Sequence, residues 1–202
     1  MTCSRDERRP LWRRILGNEF DALPTAVRAM FDHNGHRFAR GTADVVAGDS
    51  VIARICIALS GFPAPGTDIP VSILFLSEGA ADIWYRTFRN RTFASRHSGS
   101  DHVLYEQFGA LTFVFRLGGS ADAVRFDMTE TWLFGITLPR WARPRIAASQ
   151  SQADGRFRFE IAVDLPVVGR MVRMTGTLGR AYVASPSPAS ERPAAIGAAV
   201  AA

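Results

Sequence analysis

Arg86, Glu106 and Glu130 each stand where an apolar residue is expected. Arg86 alternates in register with Trp84 and Phe88, Glu106 with Leu104 and Phe108, and Glu130 with Val124, Phe126, Met128 and Trp132. A charge buried alone is costly, so these three are expected to pair, to be hydrogen-bonded, or to face a wet cavity. Two carboxylates can divide acid and base work, and a guanidinium can hold an anionic group bidentately. The bland alternatives are a satisfied internal ion pair, or a β-bulge that returns one of the charges to solvent. Trp84 and Trp132 share these faces and can line a ligand cavity or simply fill a core. Arg140, with Arg143 and Arg145, forms a basic cluster around Trp141 in a Pro-rich segment. The candidate ligand-binding set is therefore Arg86, Glu106, Glu130, Trp84, Trp132 and Arg140, with no catalytic residue and no metal ligand assigned.

Other groupings carry less. His33 and His36 flank an Asn34-Gly35 turn near Asp32 and Asp44, but the spacing is not a zinc pattern, and surface positions are expected. His97 and His102 bracket Ser98-Gly99-Ser100-Asp101, which reads as a Gly/Ser turn because no Gly-x-Ser-x-Gly elbow is present. A Gly-x-Gly-x-x-Gly loop is also missing, so no dinucleotide is bound by the usual route and no cofactor is expected. All 24 basic residues are Arg, which removes Schiff-base chemistry and a phosphate-loop lysine. This usage fits a GC-rich, bacterial genome.

The elements that must position these residues are mostly strands. From Ile69 to Leu178 short apolar/polar alternations are separated by Glu78-Gly79, Gly118-Gly119-Ser120, Asp154-Gly155 and Pro166-Val167-Val168-Gly169. Such connections favour hairpins over parallel crossovers. Strands are predicted at 38–46, 71–77, 82–89, 102–108, 111–117, 122–133, 156–165 and 170–178. The fold class is mainly β (α+β), a curved antiparallel sheet or partial up-and-down barrel of about seven to eight strands. Two or three short N-terminal helices would cover it: Pro10 to Leu16, ended by Gly17; a second after Pro24; and Val51 to Leu59, capped by Asp49-Ser50. The last is apolar nearly all round, so burial over a barrel end or sheet face is expected. A shallow membrane contact is the alternative, disfavoured because the helix lacks a basic face.

At 202 residues, 47% hydrophobic and 21% charged, one domain is expected over 10–182, between a flexible 1–9 and a disordered Pro/Ala-rich tail, 183–202. The net charge of +5 comes from dispersed arginines rather than one basic face, so nucleic acid is not an expected partner. Cys3 and Cys56 are poor candidates for a bridge. The early Arg pairs lead into Leu-Trp-Arg-Arg-Ile-Leu-Gly rather than an uncharged apolar run, and no segment reaches the roughly 18 apolar residues of a membrane span. The expected location is the cytoplasm, without stable membrane insertion.

Leu11-Trp12, Leu16-Gly17, Leu23-Pro24, Gly61-Phe62-Pro63 with Gly66, and Pro70-Val71 together resemble the bacterial family called domain of unknown function 4166. Trp84-Tyr85-Arg86-Thr87-Phe88 with Phe93-Ala94-Ser95, Glu106-Gln107-Phe108-Gly109, Leu138-Pro139-Arg140-Trp141 with Pro144, and Asp154-Gly155-Arg156-Phe157 with Leu165-Pro166 and Gly169 extend the resemblance to Leu178. It implies no particular reaction. Family members occur alone or fused behind a dehydrogenase-like NAD(P)-binding domain, which implies an accessory or ligand-holding role beside a redox enzyme. Three readings follow: a small amphipathic or apolar ligand bound inside the barrel; an interaction module for a separately encoded NAD(P)-dependent oxidoreductase; or an enzyme with Glu106 or Glu130 as base and Arg86 as anion holder.

Overall fold

The expected antiparallel sheet closes on itself. In the structure, a computed structural model describing residues 9–60 and 62–183, the strands are β1 (Arg37–Ala47), β2 (Gly66–Glu78), β3 (Ala81–Phe88), β4 (Arg91–Ser100), β5 (Val103–Phe108), β6 (Leu111–Gly119) and β7 (Ala123–Leu133). After the short β8 (Ile136–Thr137) come β9 (Arg145–Ala153), β10 (Arg156–Leu165), β11 (Gly169–Leu178) and the short β12 (Tyr182–Val183). Each long strand pairs antiparallel with the next, and β11 returns to β1, giving a ten-strand up-and-down barrel. The seam needs a glycine: a Cβ on Gly41 would lie 1.8 Å from the Thr177 carbonyl oxygen. The expected flexible N-terminus and tail fall almost wholly outside the described residues, as do Cys3 and the Cys56 side chain.

The fold class is as expected, but two long strands, β4 and β9, lie outside the predicted set. On β4 the inward positions include Ser95 and His97, and on β9 they include Gln150 and Gln152, so neither strand shows an apolar period. Gln152 is polar for a reason: its Oε1 accepts the backbone N–H of Ala26 at 2.8 Å, satisfying a donor in the first turn of an N-terminal helix.

An eight-strand barrel is just filled by its own side chains, and ten strands leave a wider interior. Helices α1 (Leu11–Leu16), α2 (Glu19–Ala22) and α3 (Thr25–Phe31) occupy one end of it. Trp12, Ile15, Leu16, Phe20, Leu23, Val27, Met30 and Phe31 are all buried. Trp12 stacks on Phe31 at 4.0 Å, and each ring reaches the wall, Trp12 at Trp84 (5.5 Å) and Phe31 at Phe157 (5.9 Å). Turns at this end hold the plug through His102 N–H to Ile15 O (2.7 Å), Arg14 Nη2 to Ala80 O (2.6 Å) and Gly119 N–H to Glu19 Oε2 (2.7 Å).

Strand alternation assigns the remaining connections to the far end: β1–β2, β3–β4, β5–β6, β7–β9 and β10–β11. Helix α4 (Val51–Ser60) lies there, against β1 and β11, with Ser50 Oγ accepting Ala53 N–H at 3.0 Å as an N-cap. Its expected burial is only partial. Ala53 and Ile57 are buried, whereas Val51, Ile52, Arg54 and Ile55 are exposed, because the helix meets the barrel along one narrow stripe.

Candidate functional site

Pairing places Ser77, Asp82, His97, Glu106, Phe113 and Thr131 in one inward row across β2 to β7. Trp84 with Ser95, and Arg86 with Phe93, form the next two rows toward the far end. Three of the predicted residues therefore meet in the lumen. Arg86 Nη2 donates to Glu106 Oε1 at 3.0 Å, and Arg86 Nη1 donates to Ser95 Oγ at 2.6 Å. Ser95 Oγ donates to the same Glu106 oxygen at 2.9 Å, and His97 Nε2, carrying its proton, donates to it at 3.0 Å. Trp84 packs on both of these donors, 4.4 Å from the His97 ring and 4.8 Å from the Arg86 guanidinium carbon.

The charge state of this cluster follows from its donors. Burial alone would raise the Glu106 carboxyl, but the charges of His97 and Arg86, with hydrogen bonds from His97 and Ser95, hold it at about 2. Burial draws the Arg86 guanidinium below its usual range, and Glu106 opposes that shift. The Arg86 and Glu106 side chains are only 12% and 14% exposed, so the pair is shielded without being sealed. Nδ1 of His97 and Nε1 of Trp84 are buried without a hydrogen-bond partner.

Glu130 does not join them, which corrects the expected inward carboxylate. The β6–β7 register slips by one residue between Val114 and Phe115, so Met128 faces inward, Thr131 takes the next inward position, and Glu130 turns to the outer wall. Trp132 turns out with it and donates its indole N–H to Glu130 Oε2 at 2.7 Å, beside the Tyr105 ring at 5.6 Å. Arg140 is also outside the lumen, exposed in a short 3-10 turn (Arg140–Ala142) at the far end.

Ser95 and His97 were not among the predicted site residues, and their only sequence signal was two-residue spacing toward Phe93. His33 is a further correction: it is buried against Phe75, with Nδ1 3.4 Å from Ser77 Oγ, whereas His36 is exposed. Burial draws His33 toward its neutral form and pushes the neighbouring Asp82 carboxyl up. Among the described residues no group of His, Cys, Asp and Glu has the makings of a metal site.

Beyond the cluster the lumen is lined by a chain of rings, Phe88 to Phe93 (5.8 Å), Phe93 to Phe108 (6.3 Å) and Phe108 to Phe113 (5.9 Å), with Phe62 over Phe93 at 5.4 Å. Inward residues near the plug, such as Phe75, Leu104, Leu117, Val124 and Leu178, are fully buried. Near the far end, inward Phe93, Phe108, Phe113, Met128, Ile146 and Ile161 on β4 to β10 keep partial exposure, whereas Val45, Ile69, Val71, Phe88, Val163 and Val172 are buried. Two clefts lie elsewhere, one of about 600 Å³ floored by Ala147, Ser149 and Ala162 across β7–β11, the other of about 750 Å³ beneath α4.

Fold and cluster together define a stoppered up-and-down β-barrel with a charged network across its interior. The chain belongs to the family described as Domain of unknown function (DUF4166), whose profile matches residues 23–178. No curated protein matches it in sequence.

Proposed function

We propose that this barrel is a binding domain for a small amphipathic ligand, held in the far half of the lumen with its polar end at Arg86. The observation that carries this reading is the partial exposure of one side of the far lumen, from β4 to β10, opposite the buried Val45, Val71, Phe88 and Val172. Residues that point inward yet remain partly exposed must be reached through the barrel mouth, and here they are the phenylalanines and aliphatic residues next to the Arg86–Glu106 pair. An apolar chamber with a few convergent polar groups is the usual form of a small-molecule site. Arg86 spends two of its N–H groups on Ser95 and Glu106, leaving others for a carboxylate, phosphate or hydroxyl oxygen. Glu106 balances the guanidinium, so the site suits a ligand with one polar end rather than a highly charged one.

Titration with a medium-chain alkyl carboxylate tests this, read by tryptophan fluorescence, since Trp84 lines the site. Saturable quenching that is lost in Arg86→Met with Glu106→Leu is expected. Absence of saturable quenching in the wild type would end the reading. The accessory-module reading requires an exposed apolar face, and Val51, Ile52, Ile55 and Trp141 supply one. A stoichiometric NAD(P)-dependent oxidoreductase in a native pull-down would favour it, whereas a co-purified small molecule favours the lumen.

A further inference from the structure

The turns at the two ends of the barrel meet the same backbone demand with opposite chemistry. At the helical end the left-handed positions of two-residue loops hold Asp101 (φ 50°), His102 (φ 64°) and Asp154 (φ 50°, before Gly155). At the far end the two-residue loops hold Phe134 (φ 51°, before Gly135) and Arg89 (φ 53°), and the three-residue β10–β11 loop holds Val167 (φ 67°). A two-residue hairpin loop with positive φ favours Asn-Gly or Asp-Gly, and a β-branched residue is poorly suited to it. Neither conformation nor packing selects Phe134 and Val167, which are 79% and 107% exposed. Residues that the fold would not choose point to a use outside the fold.

They have company. Val46, Val51, Ile52, Ile55, Leu133, Ile136 and Trp141 are also exposed and lie at the far end, whereas among the described residues only Tyr182 and Val183 of the exposed large hydrophobics lie at the other. Arginines stand between them. Arg54, Arg89, Arg140 and Arg145 are exposed at this end and make no ion pair among the described residues. Arg91 and Arg143 bind only backbone carbonyls, of Phe62 and of Leu138 and Thr129. The acids here are Asp49, with Asp44 and Asp68 on the β1–β2 side, Glu130 on the outer wall of β7, held by Trp132, and Asp164, already paired with Arg170. The β3–β4 and β7–β9 connections carry none.

We propose that the far end of the barrel docks reversibly on an anionic membrane surface. Phe134, Trp141, Val167 and the outer face of α4 would enter the headgroup–acyl boundary while the arginines meet lipid phosphates. A bilayer fits better than a protein partner because the apolar side chains project from separate connections around the barrel mouth, with cations and no acid on the β3–β4 and β7–β9 connections. Helix α4 lacks a basic face of its own, and the neighbouring loops supply one. No helix among the described residues is long and apolar enough to cross a membrane, so the contact is peripheral.

The test is co-sedimentation of the full chain with vesicles of phosphatidylcholine alone or mixed with phosphatidylglycerol, at low and high salt. Expected are binding at least about tenfold stronger to the mixed vesicles, weakening with salt, and a further loss of about tenfold in Phe134→Asn with Trp141→Ser without any fall in melting temperature. Arg140→Gln with Arg145→Gln should remove the preference for the anionic lipid. Arg86→Met with Glu106→Leu should bind vesicles like the wild type, which separates this inference from the lumen reading. The inference is overturned if the folded wild type ignores the mixed vesicles or if the rim variants bind them equally. It is equally overturned if the wild type forms a soluble oligomer that the rim substitutions disperse.

Discussion

The two ends of this barrel share strands, and yet they solve opposite problems. At the helical end, Trp12 and Phe31 fill the interior, Asp101, Asp122 and Asp154 face solvent in the turns, and inward apolar residues such as Phe75, Leu104 and Leu178 are buried. At the far end no element fills the lumen among the described residues, the turns carry Phe134, Val167 and arginines, and inward Phe93, Phe108 and Phe113 stay partly exposed. One end is built for stability and the other is left available for binding. The Arg86–Glu106 network lies at the boundary between them, with Trp84 within it, Trp12 on its plugged side and Phe93 and Phe108 on its open side.

That contrast breaks most visibly at the tryptophans. Trp12→Ala should lower unfolding free energy by about 3–5 kcal/mol in a denaturant titration, since it empties the centre of the plug. Trp141→Ala, at an exposed position, should stay within about 0.5 kcal/mol of wild type. Equal losses at the two positions would erase the distinction.

The boundary cluster should come next in size. Glu106→Gln leaves Arg86 without its countercharge and should cost about 2–4 kcal/mol, while Arg86→Met combined with Glu106→Leu should recover most of that. Its pH signature has a definite sign. Because the Glu106 carboxyl sits at about 2 in the fold against an ordinary 4.5, its contribution is complete above about 4.5 and is lost as pH falls from there toward about 2. Acid unfolding curves of Glu106→Gln should therefore be shallower than those of the wild type over that window. Asp82 acts in the opposite sense: burial raises it, so its carboxyl costs stability as pH rises above its ordinary value, and Asp82→Asn should remove that cost.

The smallest effect concerns the turns. Phe134→Asn should raise stability by up to about 1 kcal/mol, because it relieves a left-handed phenylalanine without losing buried contact, whereas Asp154→Phe should lower it by a similar amount. Differential scanning calorimetry on the pair would check both signs.

Much of this architecture is legible in the residue pattern, and the exceptions have identifiable causes. The hairpin turns, the Pro24 helix start, the Ser50 cap and the antiparallel class follow from local chemistry that the tertiary structure leaves intact. Arg86 and Glu106 were visible as charges in an apolar register because β3 and β5 run without a bulge. Glu130 misled because one slipped residue between Val114 and Phe115 inverts every later side chain on β7, and no turn residue marks the slip. Strands β4 and β9 were hidden because their inward residues serve polar purposes: Ser95 and His97 hold Glu106, and Gln152 caps a helix. His33 looked like a turn histidine because only the packed plug buries it.

A crystal structure determined in the presence of decanoate tests the division of the barrel most directly. Elongated density in the far half of the lumen, with its carboxylate at Arg86 and its chain among Phe93, Phe108 and Phe113, is the predicted result. A lumen closed by those phenylalanines packed on one another, with decanoate absent or confined to the outer groove beside Ala147 and Ala162, would contradict it.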